Sequence, residues 1–199
     1  VLKVACDQLA QWSTRAGLSE LTLSVNVSAK QFAMPGFATQ TRALVDSMGV
    51  NPARLKLELT ESHLLADPDG IVEKMSLLRA RGINFSIDDF GTGYSSLSYL
   101  KRLPLNQLKI DQSFVRHVTT DPQDEAIVRM ILALAAILDL DVIAEGVETQ
   151  AQMDSLVQAG CRAFHGYHFG RPGPLAGSRA APADPATAPG TRTPDRPPP

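Results

Sequence analysis

Cysteine is nearly absent from this 199-residue chain: Cys6 and Cys161 fit no disulfide framework and no metal-finger spacing. Free thiols are what a reducing compartment maintains, so a cytoplasmic location is expected. Histidine is also sparse, and His63, His117, His165 and His168 share no ligand spacing on one element. A basic surplus is missing: 19 Lys and Arg stand against 21 Asp and Glu, a net charge of −2, which argues against a nucleic-acid polymer as partner. Long apolar runs are missing too. The longest, Met130–Leu138, has nine residues, too few to cross a bilayer. The first residues, Val1–Gln11, read as an amphipathic helix without the basic n-region of a signal peptide. They include no initiator Met, so the chain is expected to begin inside something longer.

What is present is unevenly distributed. Nine of the fourteen prolines lie from Pro172 onward, and Leu175 is the one large apolar residue after Phe169. A Pro/Ala-rich stretch of this kind buries too little surface to offset its ordering entropy, so residues 173–199 are expected to form a disordered tail. The remaining 1–172 suit one domain.

Strand-like runs occur at Leu21–Ser28, Leu55–Glu61, Asn84–Asp89, Gln107–Asp111, Asp141–Glu148 and Ala163–Phe169. Helical patterns fill the intervals, at about 37–49, 65–80, 94–102, 122–139 and 149–159. Asp121-Pro122 reads as a cap with a first-turn proline, and Gly82 and Gly160 as helix terminators. Strict alternation with strand starts 22 to 34 residues apart predicts parallel βα units. A helix, Val1–Ala16, precedes the first strand, so the pattern opens in mid-repeat.

The strand faces select an architecture. Leu21, Leu23, Val25 and Val27 share one face against Thr22, Ser24, Asn26 and Ser28; Leu55, Leu57 and Leu59 oppose Lys56, Glu58 and Thr60. An open sheet covered by helices on both sides reads as continuously apolar. One polar face with abundant helices instead predicts a TIM-like β/α barrel, apolar outward and polar toward the axis. It is an incomplete one, with about six of eight strands.

Active sites of such barrels lie at the C-terminal strand ends. Those ends carry Asn26, Glu58 and Glu61, Asp88 and Asp89, Lys109 and Asp111, and Glu145 and Glu148. Two like charges ~4 Å apart repel by about 4 kcal/mol at an effective dielectric of 20, and one lysine is too few to neutralise the group. Hard oxygen donors without His or Cys point to Mg²⁺ or Mn²⁺, and two such ions suit phosphodiester hydrolysis. Asp89-Phe90-Gly91 matches a kinase triplet, but the other kinase motifs are missing and that reading is rejected. Gly91-Thr92-Gly93-Tyr94-Ser95-Ser96 offers backbone N–H groups for a phosphate ahead of helix 94–102, or is a plain loop.

These strings, Leu23–Ser28, Leu57-Glu58-Leu59-Thr60-Glu61-Ser62, Asp88–Ser96, Leu108–Asp111 and Ala144-Glu145-Gly146-Val147-Glu148, resemble the EAL domain family from about Val1 to Pro172. Its members are bacterial signalling phosphodiesterases that hydrolyse cyclic di-GMP to linear pGpG on a modified β/α barrel. The resemblance implies that Asn26, Glu58 and Asp88 hold a first metal, with Asp88 bridging, and that Asp89 and Glu145 serve a second. It implies that Lys109 holds the attacking water with Asp111 in support, and that Glu61 anchors the loop Gly91–Ser96, which also shapes a homodimer contact over 88–102. Glu148 and His165 fall among its substrate-side positions. An upstream diguanylate cyclase-like (GGDEF) or sensory domain is a frequent fusion in that family.

Two features depart from the family pattern. The Glu-Ala-Leu ligand segment is absent, since Glu125-Ala126-Ile127 lies within a helix, and His165 stands where Gln is usual. Imidazole titrates near neutrality, which the amide does not. Three functions are therefore weighed: a phosphodiesterase requiring a missing N-terminal segment, a non-catalytic cyclic di-GMP binding module, and an inactive fragment whose unpaired strand edges prevent closure.

Overall fold

In a computed structural model of the chain, the described residues are 1–61, 68–93 and 97–173. Ser62, His63, Tyr94, Ser95 and Ser96, the first residues of the helices expected at 65–80 and 94–102, and the proposed tail from 174 onward lie outside them. The elements run α1 (Leu2–Ser13), β1 (Leu23–Asn26), α2 (Ala29–Ala33), α3 (Phe37–Met48), a 3-10 turn at Pro52–Arg54, β2 (Leu55–Thr60) and α4 (Pro68–Arg79). They continue with β3 (Asn84–Phe90), α5 (Leu97–Leu100), β4 (Gln107–Ile110), α6 (Gln112–His117), α7 (Pro122–Leu138), β5 (Asp141–Ala144), α8 (Gln150–Ala159) and β6 (Ala163–Phe164).

The strands form one parallel sheet in the order β1-β2-β3-β4-β5-β6. Spatial order equal to chain order is what successive right-handed crossovers produce. The sheet curls with helices outside it, an α/β fold and an incomplete barrel. Its outward face is the core: Val25, Val27, Leu55, Leu57, Leu59, Phe85, Ile87, Leu108, Ile110 and Ala144 are buried with Met75, Leu78, Val128, Ile131, Ala135 and Leu156 of the helices. Each of the Val, Leu, Ile, Phe and Met side chains among them contributes on the order of 1.5–3 kcal/mol by leaving water.

Local chemistry sets the boundaries. Asp121 caps α7 by accepting from Gln123 N, with Pro122 in the first turn, while Gly160 ends α8 at φ +100°. Thr149 and Gln152 form a reciprocal capping box at the start of α8. Two short helices have no counterpart in the sequence reading. Ser28 and Asp111, both read as strand ends, turn out to cap α2 and α6.

The last two strands are shorter than expected. The run 141–148 leaves the ladder after Ala144, because Gly146 turns at φ +71° with its Cα against Gln112, where a Cβ would lie 2.5 Å from Gln112 Cβ. The run 163–169 ends at Phe164. Beyond it, Val147 N donates to His165 O (3.0 Å) and His168 N to Val147 O (3.0 Å), so 165–169 fold as a turn over 146–148. A Cβ at Gly166 would fall 2.2 Å from Val147 O, which leaves room for glycine alone.

Candidate active site

The inner face of the sheet gathers the charged residues around Lys109 on β4. Its ammonium donates to Glu58 Oε2 on β2 (2.9 Å) and Asp88 Oδ1 on β3 (2.9 Å), and pairs with Glu145 Oε1 after β5 (2.8 Å). An ammonium has three protons, so all three are committed to carboxylates. Burial by itself would lower the Lys109 pKa, but the hydrogen bonds it donates to Glu145, Glu58 and Asp88 outweigh it and hold the group well above the ordinary lysine range.

Asp88 and Asp89 owe their joint presence here to an irregularity. On a regular strand, consecutive side chains point to opposite faces. Ile87 pairs with Leu108 and Phe90 with Ile110, so two β3 residues stand against Lys109 alone, a β-bulge. Asp89 adopts φ +54°, a left-handed conformation that only Asp139 shares among the described non-glycine residues. Holding it there costs on the order of 1 kcal/mol. In exchange, oxygens of Asp88, Asp89 and Glu145 all lie within 4.8 Å of one another.

Such crowding shows in the titration. Burial, followed by the Asp88 charge and the contact with Asp111, raises the Asp89 pKa. Burial also raises Glu145, against the opposing pull of Lys109. An all-oxygen donor set with more negative charge than the one lysine offsets fits a hard divalent cation such as Mg²⁺ or Mn²⁺. Asn26 stands beside Glu58 in the β1–β2 register. Glu58 reaches the group through Lys109.

The remaining candidates take other places. Glu61 is buried, and its Oε2 accepts from Gly91 N (3.1 Å) and Gly93 N (3.0 Å). Those two N–H groups therefore face an internal carboxylate, so of the two readings left open for this stretch they do not serve the phosphate cradle. Thr92 Oγ1 closes the turn onto Asp89 O at 2.8 Å. Asp111 caps α6, its Oδ1 accepting from Ser113 N (2.9 Å), and its carboxyl contacts Asp89; its site partner is thus Asp89, and Lys109 has others. An open cleft of about 580 Å³ beside the group is lined in part by Asp89, Asp111, Glu145, Glu148, His165 and Arg171. His165 is largely exposed, with Nδ1 3.5 Å from Glu145 Oε1.

Sequence reasoning missed several contributors. Arg171, stacked 4.8 Å over the Tyr167 ring, enters the cleft from the short stretch between the last strand-like run and the expected tail. Gln152 looked like an ordinary helix residue. It is buried, accepts from Glu148 N (2.9 Å) and Thr149 N (3.0 Å), and donates to Arg116 O (3.2 Å), tying the Glu145–Glu148 loop to α6. Glutamine three residues after Thr149 was the available signal.

Known proteins resemble this arrangement. The EAL domain profile matches residues 1–172. The bifunctional diguanylate cyclase/cyclic di-GMP phosphodiesterase MucR of Pseudomonas aeruginosa is 44% identical over 174 residues, which are 87% of this chain and 25% of MucR. A solved structure of the MucR phosphodiesterase in complex with c-di-GMP superposes with a TM-score of 0.83 at 43% identity, covering 88% of this chain and 70% of that one. A manganese and cyclic di-GMP complex of Klebsiella pneumoniae BlrP1 gives 0.75 at 29% identity, covering 86% and 44%. The chain spans about a quarter of the length of the curated relatives it matches.

Proposed function

The chain belongs to the EAL domain family, and from that premise we propose that it carries the acidic site of a metal-dependent phosphodiesterase that opens cyclic di-GMP to linear pGpG. The observation that carries the reading is Lys109 held by Glu58, Asp88 and Glu145, beside the three-carboxylate group of Asp88, Asp89 and Glu145. Relatives with cyclic di-GMP and manganese bound support it.

Divalent ions, Mg²⁺ or Mn²⁺ and two in number, would be held by Asn26, Glu58, Asp88, Asp89 and Glu145, and would supply Lewis acidity and neutralise phosphate charge. The protein's own groups do the rest. Lys109 holds its carboxylates in place and brings a fixed positive charge to where a phosphoryl oxygen gains negative charge. To hold the attacking water as well, it must release one carboxylate, because no proton of its ammonium is spare. Asp111 fixes Asp89 while capping α6, and Glu61 fixes the turn Gly91–Gly93 that follows the bulge. Glu148, His165 and the loop through Tyr94, Ser95 and Ser96 complete the substrate side. A homodimer through 88–102, an upstream diguanylate cyclase-like or sensory domain and a cytoplasmic location belong to the same proposal.

Chromatography of the chain joined to the upstream segment that activity is expected to require, incubated with cyclic di-GMP and Mn²⁺, tests it. Linear pGpG is expected, and Asp88→Asn should abolish its release. Calorimetry in Ca²⁺ showing nucleotide binding without turnover in any of these metals would instead establish a binding module.

A further inference from the structure

One layer beneath the carboxylates, the inner face carries a second cation. Lys56 precedes Glu58 by two residues on β2, and Gln107 precedes Lys109 by two on β4. Each pair therefore shares the inward face, with its members about 7 Å apart along the strand. Lys56 Nζ donates to Gln107 Oε1 at 2.9 Å, reaching across β3. On β3, which lies between the two strands, Asn84 is in register with Lys56, while Ser86 is in register with Glu58 on one side and Gln107 on the other. Ser86 is fully buried, and its Oγ has no hydrogen-bond partner. Gln107 is itself buried and stands in register with Asp141 on β5.

Barrels of this class fill such a depth with Val, Ile and Leu. A lysine, a glutamine and an unpaired serine here contribute poor packing and place a positive charge under a group that would bind cations. Lys56 and Glu58 stand two residues apart on the same inward face of β2, so the ammonium lies within coulombic reach of that carboxylate. Resting on the metal-site reading above, we propose that Lys56, anchored on Gln107, is a positioning residue that weakens and thereby sets the divalent-metal affinity of the carboxylate group above it.

A Mn²⁺ titration followed by the paramagnetic signal of the free ion tests this, with the 199-residue chain. Lys56→Met removes one charge about two ladder steps from Glu58 and should tighten Mn²⁺ binding about tenfold. A merely structural role would make binding weaker, so the direction discriminates. Lys56→Arg keeps the charge and should stay within about twofold of the parent. Lys3→Met, which removes an exposed charge from α1, should change nothing. Gln107→Glu adds a negative charge to the same floor and should also tighten binding, and it decides the question alone if Lys56→Met does not fold. Equal or weaker binding in both Lys56→Met and Gln107→Glu overturns the inference. A parent chain that binds no Mn²⁺ overturns the metal reading beneath it.

Discussion

The two faces of β2 are built from alternating residues of one segment, yet they are stabilised by different physics. Outward, Leu55, Leu57 and Leu59 are at most 1% exposed and pack against the helices. Inward, Lys56 meets Gln107 and Glu58 meets Lys109. The outer face gains in proportion to area and without direction, so it tolerates substitutions of similar volume. The inner face is directional: each charge depends on a named partner, and removing one leaves the others buried and uncompensated. Packing therefore holds the strand, while pairing holds the site.

Lys109→Met should break this contrast most severely. With Glu58, Asp88 and Glu145 deprived of their counter-charge, we expect loss of about 3 kcal/mol or more in the metal-free chain and at least ~10³-fold lower turnover. Chemical denaturation with and without Mn²⁺ checks it, since added Mn²⁺ should recover part of the lost stability. Leu57→Ala should cost a similar or slightly smaller 2–5 kcal/mol, about what a buried leucine of this kind is worth, yet leave Mn²⁺ affinity unchanged. A shift in affinity would show that the two faces are coupled. Asp89→Gly should act in the opposite sense on stability. It relieves the positive φ, adding about 1 kcal/mol without metal, while weakening Mn²⁺ binding.

The smallest effect is the pH slope. Asp89 and Glu145 are raised above their ordinary values of 3.8 and 4.5, so the fold binds their protons more tightly than the unfolded chain does. The stability they contribute is complete below those ordinary values and is lost as pH rises through the raised ones. Melting temperatures of the metal-free chain should accordingly carry a downward component from about pH 4 upward. Saturating Mn²⁺, which requires the ionised carboxylates, should reverse it. Identical slopes with and without Mn²⁺ would refute this.

Much of the architecture was legible because it follows from periodicity. Alternation on β2, the Asp121-Pro122 start and the Gly160 stop each act within a few residues, where sequence and geometry are tightly linked. The strand-end carboxylates were legible for the same reason. What escaped depends on contacts between distant segments. The end of β5 is set by Gly146 against Gln112, and the end of β6 by Gly166 against Val147, which local pattern does not reveal. Lys56 was read on the face turned toward the axis, but its bond to Gln107, two strands away, is a contact that no local pattern reveals. Asp111 looked like one more site carboxylate, but its local duty is to start a helix of six residues.

The bulge at Asp88–Asp89 also gives the site a parity. From Ile87 to Phe90 the strand counts one residue more than its neighbour, and Phe90 still lands in the core at 6% exposure. Deleting either aspartate would leave a strand of ordinary count, with Phe90 still facing the helices and one carboxylate remaining inside. Inserting a residue within the regular part of β3 would exchange every inner side chain for an outer one. Loss of a single codon at this point thus subtracts one ligand and leaves the fold intact, whereas gain of one codon a few positions earlier would abolish both.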